Sequence, residues 1–76
     1  MVELGTLEKG ATATIVKIEN ESVEAKRLQE MGLLPGTGFK VVKVAPLGDP
    51  IELELRGYRL CLRRKETEGF LVEVHP

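Results

Sequence analysis

The sequence predicts a mainly β fold, a small SH3-like barrel of about five strands with one short α-helix inserted after the first strand. Alternating apolar residues recur in short runs, and a single stretch has helical periodicity instead. The length of 76 residues is sufficient for one hydrophobic core and too small for two, or for a sandwich. We therefore expect one domain that covers residues 1–76.

The first strand and the helix follow from a change of period. Residues 10–18, GATATIVKI, are rich in threonine and β-branched residues, which is typical of a strand. In the next segment four apolar residues fall on one face at 100° per residue, as in an amphipathic helix. They are Val23, Ala25, Leu28 and Met31. Ser22 or Asn20 can cap the start of this helix, and Gly32 can end it in the left-handed conformation, so it should end at Met31.

The second half of the chain predicts strands. Residues 38–46 carry apolar side chains on both faces, as expected where a strand bends around a small barrel or where a helix covers its outside. Residues 50–64 alternate apolar and polar side chains on both sides of Arg56-Gly57, which predicts a hairpin with these two residues as its loop. The opposed, core-facing pairs are then 55 with 58, 53 with 60 and 51 with 62. The remaining segments are 64–69, one helical turn, and 70–74, a last strand.

The composition argues against two classes of protein. Eleven Lys and Arg nearly balance 12 Asp and Glu, and only three residues are aromatic, whereas nucleic-acid binders need a basic surface. No run of about 18 apolar residues predicts a membrane span, and no charged start precedes an apolar secretion signal. Small secreted domains usually contain several cysteines, and this chain has Cys61 alone. We expect a cytoplasmic protein with no nucleic-acid partner and no membrane insertion.

The residues that could perform catalysis are few. His75 is the only histidine and lies next to last, where a solvated tail residue is the favoured interpretation. Cys61 lies between Arg59 and Arg63, which could lower its pKa and make it reactive. The favoured alternative is a small apolar residue in a strand, because no resolving or metal-binding partner is near it in sequence. The sequence therefore predicts no catalytic residue and no enzyme.

The candidates for metal or phosphate binding are equally weak. Glu52 and Glu54 lie two apart on one face and could share a hard cation, but the hairpin register places Glu54 opposite Arg59, which favours an ion pair. The stretch GLLPGTG lacks the spacing and the following helix of a phosphate loop, so its glycines are interpreted as a bend. We expect no metal ligands and no cofactor.

One basic cluster leaves two interpretations open. It consists of Arg56, Arg59, Arg63, Arg64 and Lys65. It could meet an acidic surface of a partner, but several glutamates lie near it in sequence. A mixed, solubilising surface is the favoured interpretation.

The whole chain resembles the FeoA family, the small cytoplasmic proteins of ferrous iron uptake in bacteria and archaea. The matching segments are LEKGATATIVKI, AKRLQEMGLLPGTGFKVV, APLGDPIELELRGYRLCLRRKE and FLVEV. The resemblance implies an SH3-like barrel and an accessory, non-enzymatic role beside FeoB, a membrane transporter with a cytoplasmic GTP-binding domain. The same type of domain occurs in metal-dependent repressors of the DtxR kind. The alternative is therefore a metal-responsive regulator domain that binds a transition metal ion or packs against a repressor.

The family pattern falls on residues that mostly serve folding. They are Leu28, Gly32, Leu33, Pro35 and Gly36 in the middle of the chain and Pro46, Leu47, Gly48 and Pro50 after it. Folding does not require Leu34 and Leu47 to be large and apolar, and exposed apolar residues often mark a contact site. We expect Met31, Leu34 and Leu47 to border a shallow groove that receives a segment of the transporter; the alternative is that they cap the core. Unpaired edge strands would also permit a weak homo-oligomer.

Overall fold

The computed structural model describes residues 1–76 and has six strands, one α-helix and two 3-10 helices. In chain order the elements are β1 (Val2–Glu3), a first 3-10 helix (Leu4–Thr6), β2 (Thr12–Ile18), α1 (Val23–Glu30), β3 (Gly38–Val44), β4 (Ile51–Leu55), β5 (Tyr58–Leu62), a second 3-10 helix (Arg64–Thr67) and β6 (Phe70–Val74). The predicted mainly β fold with one helix is confirmed. The two-residue strand β1 was not predicted.

The strands form one antiparallel sheet in the order β1-β6-β2-β3-β4-β5. Register shifts interrupt the β2–β6 pair between Ile15 and Lys17 and the β3–β4 pair between Val41 and Lys43. Such irregularities increase the local twist and bend the strands. The sheet is not closed, because β1 and β5 each pair on one side only.

The β4–β5 hairpin has the predicted register. Its pairs are Ile51 with Leu62, Leu53 with Leu60 and Leu55 with Tyr58. The loop residues Arg56 and Gly57 both have positive φ, 49° and 82°, as a tight two-residue hairpin turn requires. The prediction that all six paired residues face the core is wrong for Tyr58, which is 41% exposed.

Helix α1 begins and ends with hydrogen bonds that its sequence supplies. The hydroxyl of Ser22 accepts from the amide of Ala25 at 3.1 Å, and the side chain of Asn20 accepts from the amide of Ser22 at 2.9 Å, so both predicted caps contribute. The last helical residue is Glu30, within one residue of the predicted end, and Met31 is the cap. No helix in the protein has the length and apolar character needed to cross a membrane.

The core lies on the inner face of the curved sheet, where helix α1 and the first 3-10 helix contribute to it. Its 16 buried residues are Leu4, Leu7, Ala13, Ile15, Ala25, Leu28, Leu33, Phe39, Val41, Ile51, Leu53, Leu55, Leu60, Leu62, Phe70 and Val72. Two buried threonines, Thr37 and Thr67, satisfy their hydroxyls by donating to backbone carbonyls. The compact core fixes the positions of the loops at both ends of β3.

Candidate partner-binding surfaces

The first candidate surface lies where helix α1 ends, and we call it the helix-end surface: Met31, Leu34 and Tyr58. Their exposed fractions are 43%, 40% and 41%. The hydroxyl of Tyr58 donates to the carbonyl of Met31, which ties the β5 end of the hairpin to the end of the helix. The amide of Leu34 donates to the carbonyl of Gly32 at 2.9 Å, in the same turn. Three half-exposed side chains from two distant segments therefore lie around one turn.

The conformation of this turn is fixed by hydrogen bonds at the helix end. The amide of Leu33 donates to the carbonyl of Leu28 at 3.1 Å and the amide of Gly32 to that of Gln29 at 3.0 Å, the paired bonds of a Schellman motif. Gly32 has φ +111°, and a Cβ at this position would meet the hydroxyl of Tyr58. Leu33 is fully buried, which directs its neighbour Leu34 outward. The bend predicted from the glycines is confirmed.

Buried Thr37 closes the same loop from its far end. Its hydroxyl donates to the carbonyl of Gly32 at 3.1 Å and accepts from the guanidinium of Arg56 at 3.3 Å. The amide of Thr37 also donates to the carbonyl of Leu34 at 2.9 Å. The helix-end surface is thus attached to the β4–β5 hairpin at two points, through Tyr58 and through Arg56.

The second candidate surface is the turn between β3 and β4, and we call it the turn surface: Pro46 and Leu47. The side chain of Leu47 is 97% exposed. The turn itself is closed by two backbone bonds, from the amide of Ala45 to the carbonyl of Pro50 at 3.0 Å and from the amide of Gly48 to the carbonyl of Ala45 at 2.7 Å. A fully exposed leucine therefore projects from a well-bonded turn.

The half-buried Arg64 holds the turn surface to the rest of the domain. Its guanidinium donates to the carbonyls of Gly48 at 2.7 Å, Gly5 at 2.8 Å and Leu7 at 2.7 Å. Its amide donates to the carboxylate of Asp49 at 2.9 Å. One side chain thus joins the β3–β4 turn to the chain that precedes β2.

The structure brings Met31 and Leu34 together and places Leu47 elsewhere. Leu34 precedes strand β3 and Leu47 follows it, and seven residues of strand span about 20 Å. None of the four surface clefts is lined by Met31, Leu34 or Leu47. A single groove bordered by all three residues is therefore not present; what the three residues bind is a separate matter and stays a prediction.

The residues weighed for catalysis and metal binding lie apart. Cys61 is an exposed free thiol on β5. His75 is exposed, but its ring lies 2.7 Å from the hydroxyl of Thr14 and its amide donates to the carbonyl of Thr12 at 2.8 Å, so it is held rather than a loose tail residue. No group of three or more His, Cys, Asp or Glu side chains is arranged to hold a metal ion.

The glutamates of β4 take part in ion pairs. The guanidinium of Arg59 lies 3.1 Å from the carboxylate of Glu52 and 3.7 Å from that of Glu54. The predicted register of Glu54 and Arg59 is confirmed, while the shorter contact is made with Glu52, diagonally across the pair. The favoured interpretation, an ion pair rather than a cation site, agrees with these distances.

The sequence does not identify Tyr58 as part of the helix-end surface or Arg64 as the support of the turn surface. The alternation of β5 predicts Tyr58 in the core, although its place beside the hairpin loop signals partial exposure. The three acceptors of Arg64 are backbone carbonyls, which leave no signature in a sequence. Only the contacts across the fold identify it.

Comparison with known proteins agrees with this architecture. Residues 2–74 match the model of the FeoA domain. A relative from Porphyromonas gingivalis, described as an Fe(2+) transport protein A/Fe(2+) transporter FeoB fusion protein, is 37% identical over 73 residues, which are 96% of this chain and 9% of that protein. The chain thus spans about a tenth of the length of this curated relative.

Solved structures have the same fold. The solution structure of the FeoA protein from Chlorobium tepidum superposes with a TM-score of 0.86 at 37% identity, over 99% of this chain and 71% of that one. The crystal structure of FeoA from Stenotrophomonas maltophilia with zinc, described as a prokaryotic SH3 domain protein, gives a TM-score of 0.81 at 23% identity, over 96% and 91% of the two chains. The fold is therefore SH3-like, and the chain belongs to the FeoA domain family.

Proposed function

We propose that this chain is a non-enzymatic accessory protein of ferrous iron uptake that binds the cytoplasmic part of a FeoB-type, GTP-binding membrane transporter. The observation that carries the proposal is the relative from Porphyromonas gingivalis, in which the description joins Fe(2+) transport protein A and FeoB in one chain. A covalent link raises the effective concentration of two modules that contact each other, which suits a weakly bound pair. We propose the same contact for this chain.

Met31, Leu34 and Leu47 are the proposed contact residues. Each is at least 40% exposed, and Leu47 is exposed almost completely. Backbone hydrogen bonds already fix the turns that carry these residues, so little backbone entropy is lost on binding. Because the helix-end surface and the turn surface lie at opposite ends of β3, the transporter contacts them separately, in a small transient interface of less than about 1,200 Å².

A pull-down of the cytoplasmic part of the transporter tests this proposal. Leu34→Asp and Leu47→Asp should each weaken capture by about tenfold or more, since a carboxylate would be placed in an apolar contact. Val23→Asp is a matched control, because Val23 is 79% exposed and lies outside both surfaces. At the first residue of α1 the new carboxylate is also compatible with the helix dipole. Capture of both folded leucine variants at the wild-type level would contradict the assignment of the contact residues.

Titration calorimetry separates this proposal from the metal-responsive alternative. The accessory role requires a partner protein and no resident metal, so Fe(II) or Mn(II) should give no stoichiometric binding at micromolar concentration. Tight binding of one ion per chain would favour the regulator domain instead. Sedimentation of the isolated chain tests the weak homo-oligomer, which stays a prediction.

A further inference from the structure

We propose that the free edge of strand β5 binds an extended acidic segment of a partner, which adds to the sheet as a seventh strand. β5 is the last strand in the order and pairs with β4 alone. It has five residues, whereas β1 at the opposite edge has two. Extended peptides commonly bind proteins by extending a sheet at such an edge. The inference concerns backbone groups and stands independently of the proposed function.

The hairpin register identifies the backbone groups that are free. In a two-residue hairpin the residues that flank the loop exchange both of their hydrogen bonds, and this alternates along the strands. Tyr58, Leu60 and Leu62 therefore bond to β4, so the amides and carbonyls of Arg59 and Cys61 point away from it. No other hydrogen bond in the protein reaches these four groups.

The next residue along the edge shows how a partner would bind. Arg63 continues the outward alternation, and its amide donates to the carboxylate of Glu66 at 2.8 Å while its carbonyl accepts from the amide of Glu66 at 3.0 Å. Glu66 thus occupies the position that an added strand would take. The open part of the edge is limited to Arg59–Cys61, which offers two donors and two acceptors.

Strand β5 lacks most of the features that prevent edge pairing. It contains no proline, its register with β4 is unbroken, and its inward side chains Leu60 and Leu62 carry no charge. The outward side chains along this edge include Arg59 in β5 and Arg63 directly after it, and no acid. Besides Glu66, which covers the edge at Arg63, the device against pairing is therefore positive charge, which favours an acidic partner.

This charge disfavours a second copy of the chain. Pairing of two β5 strands about Cys61 would place Arg59 opposite Arg63 twice, and pairing about Arg59 would place it opposite its own copy. Like charges directly opposite each other on one face destabilise a strand pair. An incoming strand with an acidic residue opposite Arg59 and a small residue opposite Cys61 avoids this repulsion, and a second acidic residue four positions along, beyond the open part of the edge, approaches the side chain of Arg63.

The two arginines are available to such a segment. Arg63 makes no ion pair, because the oxygens of Glu66 bind the amide of Arg63 and the guanidinium of Arg27. Arg59 contacts Glu52 and Glu54 but its side chain is 56% exposed. Exposed pairs of this kind contribute about 1 kcal/mol or less, so a new carboxylate can share or replace them.

The probe is an eight-residue peptide of alternating valine and threonine with glutamate at positions three and seven. Added to the ¹⁵N-labelled protein, it should shift the amide resonances of Arg59 and Cys61 and slow their hydrogen exchange. A peptide with lysine at the two positions should bind at least about tenfold more weakly, because it meets like charge. Equal binding of the two peptides, or no binding of the glutamate peptide at concentrations on the order of 1 mM, would overturn the proposal.

Cys61→Pro tests the backbone contact directly. Proline removes the outward amide without disturbing β4, since proline is tolerated where an edge amide faces solvent. It should weaken binding of the glutamate peptide about fivefold or more, the effect of one lost hydrogen bond. Cys61→Ser keeps the amide and should bind within about twofold of wild type. Equal binding by the proline and serine variants would refute the strand addition.

Two further measurements use the unaltered protein. N-methylation of the glutamate peptide at position five, which faces Cys61, should abolish binding, because that amide donates to the edge. This keeps the test decisive if Cys61→Pro fails to fold. Protection of the Arg59 and Cys61 amides that rises with protein concentration alone would identify a second copy as the occupant and overturn the acidic assignment.

Discussion

The two ends of strand β3 both expose apolar residues, but to different degrees. At the helix-end surface Met31 and Leu34 are about two-fifths exposed, whereas Leu47 of the turn surface is 97% exposed. The helix end is covered in part by Tyr58, whose hydroxyl reaches the carbonyl of Met31. Around Leu47 nothing comparable covers the side chain.

The two ends are also fixed by different means. The helix end combines local backbone bonds with contacts from the β4–β5 hairpin, and the left-handed Gly32 brings the chain against Tyr58. The turn has its own backbone bonds and is joined by Arg64 to the carbonyls of Gly5 and Leu7. At the helix end, Met31 and Leu34 are partly covered because they pack against the fold. The side chain of Leu47 packs against nothing, so it contributes nothing to folding. Leu47 is thus the cleaner candidate for a contact residue.

The largest effect is expected at the helix end. Gly32→Ala should lower the free energy of unfolding by about 2–3 kcal/mol, since φ +111° is strained for alanine and the new Cβ displaces the hydroxyl of Tyr58. Gly36→Ala is the control, with φ +93° but nothing within 4 Å, and should lose about 1 kcal/mol. Urea denaturation measures both. Equal losses would show that the contact with Tyr58 does not constrain the turn.

The next effect concerns the hydrogen bonds by which Arg64 holds the β3–β4 turn to the rest of the domain. Arg64→Ala should lower the free energy of unfolding by about 2 kcal/mol, because three carbonyls lose a charged donor and water replaces it only in part. Amide exchange at Gly48 should become faster. Arg64→Lys should recover a part of the loss, as an ammonium lacks the fork of a guanidinium. Arg63→Ala is the control, because Arg63 is exposed. The same free energy of unfolding for both alanine variants would contradict a stabilising role of the hydrogen bonds of Arg64.

A smaller effect separates the two apolar surfaces in the unbound protein. Leu34→Asp should lower the free energy of unfolding by about 1 kcal/mol, because the leucine is only 40% exposed. Leu47→Asp should stay within about 0.5 kcal/mol of wild type, as expected for a surface substitution. Thermal and urea unfolding give the values. A loss at Leu47 as large as that at Leu34 would mean that the turn leucine also serves folding.

The smallest effect on stability is expected in strand β4 of the hairpin, which pairs with β3. Glu52→Gln removes the carboxylate 3.1 Å from Arg59 and should lower the free energy of unfolding by less than about 1 kcal/mol at low salt. The difference should vanish near 1 M salt, where charges are screened over about 3 Å. Glu54→Gln, whose contact is 3.7 Å, should lose less. A salt-independent loss would indicate a packing role for Glu52.

The local parts of the fold could be predicted from the sequence. The hairpin register follows from the alternation around Arg56-Gly57, and the helix boundaries follow from Ser22 and Gly32, all of which act on neighbouring residues. Strand β1 could not be predicted, because Val2 is extended by pairing with Val72 at the other end of the chain. Two residues do not make a periodic pattern.

The sequence could predict which residues are candidates for a contact, but it did not predict how they are arranged in the fold. Leu34 and Leu47 could be selected because each is a large apolar residue in a loop. Their separation depends on strand β3, which lies between them and which the sequence predicts at residues 38–46. The hydrogen bonds of Arg64 reach carbonyls that are distant in sequence, so no local pattern could predict them.

The pairing of β1 with β6 places Val2 directly opposite Val72, four residues before Pro76. Residues opposed in this way lie about 5 Å apart, so a linker that runs back along the last residues of β6 could join β6 to β1. A circular permutant opened at the exposed hairpin loop should then keep the same sheet. Equally, the domain can be placed within a surface loop of another protein as a closed unit that enters and leaves the host through two neighbouring strands.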